Sequence, residues 1–220
     1  MATLSEIRSR VRLELGEPSA GYWTDAHVDA CISSAAAQFS VDTGLLLVPP
    51  RRTDILAGSA LYTLPDDCPG PQAVVSVICD GVELEAAAPA AILRLGGKPH
   101  SDSGRPSSWY FLADGGDPCL ALYPVPSSSI PGGIVIWYWK VAAPMSADAA
   151  ECEIPDEYMR GVVCGAARLA FIARRENAQA AELERLYDDE VRRARSAVQS
   201  LVASSLRHRG SSEIQVRTIF

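Results

Sequence analysis

Three histidines, at positions 27, 100 and 208, are the side chains best suited to moving protons near neutral pH. None stands in a context that resembles a triad, a zinc-protease helix or a nucleophile elbow. His27 lies between Asp25 and Asp29, but side chains two apart on a helix do not share a face, so it reads as a solvated residue at a helix start. The six cysteines, at 31, 68, 79, 119, 152 and 164, form no close couples, whereas a zinc site draws its ligands from such couples. They read as thiols of a reducing compartment. Asp114-Gly115-Gly116-Asp117 offers carboxylates, yet it lacks the alternating oxygen donors and closing Glu of a calcium loop, and its glycines make it a turn. Asp188-Asp189-Glu190 beside Arg192-Arg193 reads as charge pairing on an exposed helix face. Gly161 and Gly165, one helical turn apart, read as a site of close helix packing. No glycine-rich loop joins a strand to a helix, so nucleotide binding has no support. The expectation is a chain with no catalytic, cofactor-binding or metal-ligating residues, and no enzyme.

What remains is the chemistry of surfaces. The strand Ile134–Val141 places Val135, Trp137, Trp139 and Val141 on one face and Ile134, Ile136, Tyr138 and Lys140 on the other. Two largely apolar faces mean either a central strand covered twice or one face offered to a partner; Trp137 and Trp139 are the interface candidates. The chain ends in Ile214-Gln215-Val216-Arg217-Thr218-Ile219-Phe220, which alternates like a strand without a partner. Residues 207–220 are therefore expected to form an extended docking tail, with Ile214, Val216, Ile219 and Phe220 as contacts and a sheet edge as the fitting receptor.

These surfaces need elements to carry them. Thr3 and Glu6 make a capping box ahead of Leu4, Ile7, Val11 and Leu15, and Gly16 stops that helix. Thr24 caps a second helix whose stripe is Val28, Ile32, Ala35 and Phe39, ended by Gly44. Residues 49–150 read as β-structure. Asp80-Gly81 makes a two-residue hairpin turn between Val74–Cys79 and Val82–Leu84. Leu61–Leu64, Trp109–Leu112 and Cys119–Tyr123 are further strands, and Ala90–Leu95 is a short helix. Pro155 opens a third long helix, which continues to about Glu176, and a fourth runs from Asn177 to Leu206. The fourth would span roughly 45 Å, longer than a compact domain of this size needs. The expected fold is α+β: a four-helix assembly from residues 1–48 and 151–206, an inserted small β-sandwich or barrel at 49–150, and the tail.

Composition narrows the function classes. The 220 residues are 48% hydrophobic and 21% charged, ordinary for a globular chain. Apolar runs are far shorter than the ~20 residues that span a bilayer, and the N-terminus lacks the order of a signal peptide; synthesis in a cytosol-like compartment is expected. The net charge of −7 argues against a general phosphate-binding protein. All of that excess lies in residues 1–150, since residues 151–220 are balanced.

The order and spacing of several short pieces resemble the head-to-tail adaptors of tailed bacteriophages. These are Leu4-Ser5-Glu6-Ile7 with Leu15-Gly16-Glu17, Tyr22-Trp23-Thr24-Asp25 leading to Thr43-Gly44-Leu45-Leu46, and Leu61-Tyr62-Thr63-Leu64-Pro65. Val75-Ser76-Val77, Asp80-Gly81-Val82-Glu83-Leu84, Leu120-Ala121-Leu122-Tyr123-Pro124 and Ile154-Pro155-Asp156-Glu157-Tyr158 complete the series. The resemblance implies a structural virion protein of the neck. It would form a ring, most often dodecameric, between the portal protein and a tail or nozzle protein. DNA would pass through without specific binding, and no membrane would be involved. The alternative is a monomeric β-domain binding module, for example for carbohydrate, which would show exposed aromatics along a groove.

Overall fold

The computed structural model describes residues 1–94, 96–98, 101–115 and 117–216, with the backbone alone described at Asp114 and over 201–216. Its contacts divide the chain into two compact units, one of Met1–Leu46 with the chain from Val141 onward, the other of Leu47–Lys140.

The first unit is helical because its capping signals are local and strong. Helix α1, Leu4–Glu14, starts at Thr3, whose hydroxyl accepts from the Glu6 N–H while the Glu6 carboxylate accepts from the Thr3 N–H. Helix α2, Asp25–Thr43, starts at Thr24 and ends at Gly44, which sits at φ 63°, a left-handed conformation that glycine adopts without cost. The short helix α3, Pro89–Arg94, belongs to the second unit. Helix α4, Met159–Ala173, follows a single 3₁₀ turn at Asp156–Tyr158. The break before helix α5, Asn177–Val216, comes at Arg175 with φ 63°, so α4 stops short of Glu176.

Helix α4 is apolar nearly all round and lies at the centre of this unit. Its Met159, Val162, Ala166 and Ala170 share one buried cluster with Leu4, Ile7 and Val11 of α1, Val28, Ile32 and Phe39 of α2, and Leu183, Tyr187 and Val191 of α5. A Cβ built on Gly161 would strike the Phe39 ring, and one on Gly165 would press on Ala35 and Tyr187; the glycines therefore set how closely α4 approaches its neighbours. Residues 141–150, grouped above with the β-region, belong to this unit. Ala142 donates to Ser40 Oγ at 2.9 Å, and Leu4 donates to the Ala150 carbonyl at 2.9 Å.

The second unit contains ten short strands among its described residues: β1 Arg51–Ile55, β2 Leu61–Thr63, β3 Val74–Cys79, β4 Val82–Glu83, β5 Glu85–Ala86, β6 Ser103–Gly104, β7 Ser108–Asp114, β8 Asp117–Tyr123, β9 Val125–Pro126 and β10 Ile130–Tyr138. One sheet has the order β1-β10-β3-β4, all antiparallel. A second has the order β2-β8-β7-β5, with β5 parallel to β7, and β6 pairs with β9 in parallel. The hairpin at Asp80-Gly81 forms with both residues at positive φ, 49° and 75°, the geometry of a type I′ turn. Val77, Ile134, Ile136 and Tyr138 of the first sheet share a buried cluster with Tyr62, Trp109, Leu120 and Leu122 of the second. Among the described residues neither sheet closes on itself into a barrel.

One expectation is corrected outright. Residues 207–216 are not extended: α5 continues through Val216. An established helix gains one hydrogen bond for each residue it adds, and α5 contains no proline to stop it. The single Gly210 costs only about 1 kcal/mol against alanine, and a short alternating run has no sheet to join. Residues 217–220 lie outside the described residues.

Candidate interaction site

Among the sequence candidates, Trp137 lies on an inner strand of a sheet and Trp139 just past that strand's end. Strand β10 sits between β1 and β3, with Val135 opposite Arg52 on one side and Ile78 on the other. Its Ile134, Ile136 and Tyr138 side chains are fully buried. Val135, Trp137 and Trp139, on the opposite face, are half-buried. Trp139 follows the strand, bridges to Leu47 and donates its N–H to the Ala73 carbonyl at 2.9 Å. The Tyr138 hydroxyl donates to Asp67 at 2.7 Å. Burial first, and that carboxylate second, push its pKa up to about 12.

The helical unit presents a second aromatic feature at the turn between α1 and α2. Trp23 is only 3% exposed while Tyr22 beside it is 66% exposed. The Arg174 guanidinium lies 4.7 Å from the Tyr22 ring centre, and the His27 ring stacks on Trp23 at 5.0 Å. Beneath them Arg12, 4% exposed, donates to Asp25 at 2.5 Å and to the Trp23 carbonyl at 3.0 Å. The Arg12 hydrogen bond holds the Asp25 carboxyl below its ordinary pKa. Arg8 forks onto Asp29 at 2.6 and 2.8 Å and reaches Asp148 at 2.7 Å, joining α1, α2 and the segment before α4. The Asp29 bond raises the Arg8 pKa above its ordinary value against the opposing effect of burial, and Asp148 adds to the rise.

A third feature is a groove of about 400 Å³ on the same unit, between α1 and the start of α4. Met159 and Val163 form its apolar floor, and Leu13 stands 71% exposed beside it. Glu14, Asp156 and Glu157 line it along with Arg10 and Arg160, an acidic majority. Its mixed lining contains no converging set of acid, base and nucleophile.

Ile214 and Val216 lie on the backbone of α5, and Ile219 and Phe220 lie outside the described residues. His27 is the aromatic partner just described, His100 lies outside the described residues, and His208 is on α5. Asp114 and Asp117 face each other across the β7–β8 turn. The six cysteines are free. Among the described residues no three His, Cys, Asp or Glu side chains converge as metal ligands, and no helix is long and apolar enough to cross a membrane. Sequence reasoning did not find the Arg8 and Arg12 clamps or the groove. Their partners are 11 to 140 residues apart, so no local spacing announces them.

A family model described as "SU10 adaptor protein" matches residues 2–209 of the chain. No curated protein matches it. With nearly its whole length covered, the chain belongs to the SU10 adaptor protein family, in agreement with its resemblance to phage head-to-tail adaptors.

Proposed function

We propose that this SU10-family adaptor is a non-enzymatic structural component of the phage neck, made in the host cytoplasm, that joins the portal protein to a tail or nozzle protein as a homo-oligomeric ring around the DNA path. The family match over residues 2–209 carries this reading. In it, the two N-terminal and two C-terminal helices act as one four-helix assembly, and the paired sheets act as a small sandwich inserted into that assembly. The shared cluster around α4 supports the first part and the shared cluster of the two sheets supports the second.

Charge fits the role. A ring of chains that each carry −7 repels the DNA backbone, which favours passage over capture. A ring also needs two different complementary surfaces on each copy, since head-to-tail contacts close only when the rotation between copies closes.

The test is assembly of the purified full chain on portal-bearing heads, read by light scattering and negative-stain imaging. Rings with a central hole at the portal vertex are expected. A compact monomer that ignores the portal would overturn the reading.

A further inference from the structure

Helix α4 stops in a left-handed turn. The Glu176 N–H donates to the Phe171 carbonyl at 3.0 Å and the Arg175 N–H to the Ile172 carbonyl at 2.9 Å. This is the Schellman pattern, with Arg175 in the place that glycine usually takes. Arg175 holds φ 63°, where glycine is at ease and a residue with a Cβ is strained. Within its own copy the side chain gives nothing back for that strain. It is exposed, and among the described residues it makes no hydrogen bond, ion pair or ring contact. Strained backbone of this kind gathers at functional sites.

The surroundings of Arg175 suit a protein contact. Ile172, one turn earlier, is exposed. Arg174 is paired with Glu176 at 2.8 Å and stacks on the exposed Tyr22. The Glu17 carboxylate fixes Tyr22 by accepting from its N–H at 3.2 Å and from that of Trp23 at 3.1 Å. Tyrosine and arginine on a backbone held in advance are the usual anchors of an interface. Arg175 alone among the charges of this turn has no partner.

The matching chemistry stands on the β-unit. Strands β4 and β5, within residues 82–86, each end one of the four-stranded sheets. Val82, Glu83, Glu85 and Ala86 are all exposed. Asp80 is paired with Arg105 at 3.2 Å, and Glu83 accepts from Ser76 at 2.7 Å. The Glu85 carboxylate has no partner among the described residues. We infer that the α4–α5 turn docks on the 82–86 edge of a second copy of this chain, with Arg175 against Glu85 and Ile172 against Val82. A ring needs two different complementary surfaces on every copy, and a lone cation and a lone carboxylate, each beside exposed apolar surface, supply such a pair. The inference rests on the ring reading and names the surfaces that would build it.

The experiment uses the full chain and reads assembly on portal-bearing heads. Arg175→Gly relieves the strain, so the isolated chain is expected to melt about 2 °C higher with an unchanged dichroism spectrum. The same change is expected to weaken assembly about tenfold, as loss of a paired charge at an interface does. Arg175→Glu and Glu85→Arg should each weaken it at least as much, and the two together should restore it. If the unaltered chain never assembles, the ring reading fails and this contact with it. If it assembles and Arg175→Gly assembles equally well, the contact alone is overturned. If Arg175→Glu weakens assembly and adding Glu85→Arg does not restore it, Arg175 meets the portal or another partner, and the second-copy assignment is overturned.

Discussion

Gly161 and Gly165 look alike in the sequence, one helical turn apart on the same helix, but they meet different neighbours. A Cβ on Gly161 would come within 2.8 Å of Phe39 Cζ, and that ring is fully buried with no room to swing. Overpacking of this kind costs about 1–3 kcal/mol, more than the ~1 kcal/mol that alanine gains over glycine in a helix. Gly161→Ala is therefore expected to lower the melting temperature by several degrees. At Gly165 the closest contacts are 3.1 and 3.2 Å to Tyr187 and Ala35, so the two effects nearly cancel and Gly165→Ala should melt close to the unaltered chain. Equal losses at both positions would remove this account of how closely α4 packs. Tyrosines give a second test at this scale. The Tyr138 pKa is pushed up to about 12, and burial with the Asp42 bond raises that of Tyr187 as well. A tyrosine that holds its proton more tightly when folded stabilises the fold fully below the unfolded value of about 10, and loses that contribution as pH rises above it. Burial also raises Tyr62, Tyr110 and Tyr158, and the Asp102 bond raises Tyr123, so ultraviolet titration should show Tyr138 and Tyr187 ionising in the latest phase. Tyr138→Phe and Tyr187→Phe should each remove one of them, and a single transition near pH 10 in the folded chain would contradict these environments.

Elements whose signals are local were legible in the sequence. The capping box at Thr3, the cap at Thr24, the left-handed stop at Gly44 and the type I′ turn at Asp80-Gly81 each depend on a few consecutive residues, and each is present. Elements made by a distant partner were not. Strand β1, Arg51–Ile55, is mostly charged and exposed and carries no apolar alternation; it exists because β10 offers it a ladder across about eighty residues. Such charges also suit an edge strand, since they discourage further pairing. The run Ile214–Val216 misled for the converse reason: it alternates, but a helix already under way extended through it. The link between the units leads to a prediction at this scale. Leu47 and Trp139 pair across an antiparallel bridge, and Val48 donates to the Tyr138 carbonyl at 3.3 Å. The chain thus leaves and returns at nearly the same place, about 5 Å apart. Replacing residues 48–138 by a short Gly-Ser turn should leave a helical unit that melts cooperatively, and residues 47–140 alone should keep a β-type dichroism spectrum. A helical remnant that aggregates or melts without cooperativity would mean that the units need each other to fold.

At the scale of the whole molecule, charge has to do two jobs with one composition. The chain carries −7 overall, with the acidic excess in residues 1–150 and balance beyond. In the proposed ring, every added copy would increase the acidic total, while each contact between copies would need local complementarity. Separating the two along the chain would resolve the conflict in such a ring: the acidic residues 1–150 would repel phosphate, and the charge-balanced residues 151–220 would supply cations to the pairing surfaces. Non-specific DNA binding draws its strength from counterions released as Lys and Arg neutralise phosphates, so it is strongest at low salt. An adaptor built for passage should therefore fail to retain duplex DNA even at about 50 mM salt, where phosphate contacts are strongest. Filter binding and gel shift with the free chain and with assembled rings should both show no complex at micromolar protein. Replacing exposed acids of the β-unit, for example Asp66→Lys with Glu85→Lys, should leave both units folded by circular dichroism. The same changes should raise DNA affinity in proportion to the charge added, with a slope that steepens with each lysine. Tight, salt-sensitive binding by the unaltered chain or its assemblies would reverse this picture and speak for DNA capture instead of passage.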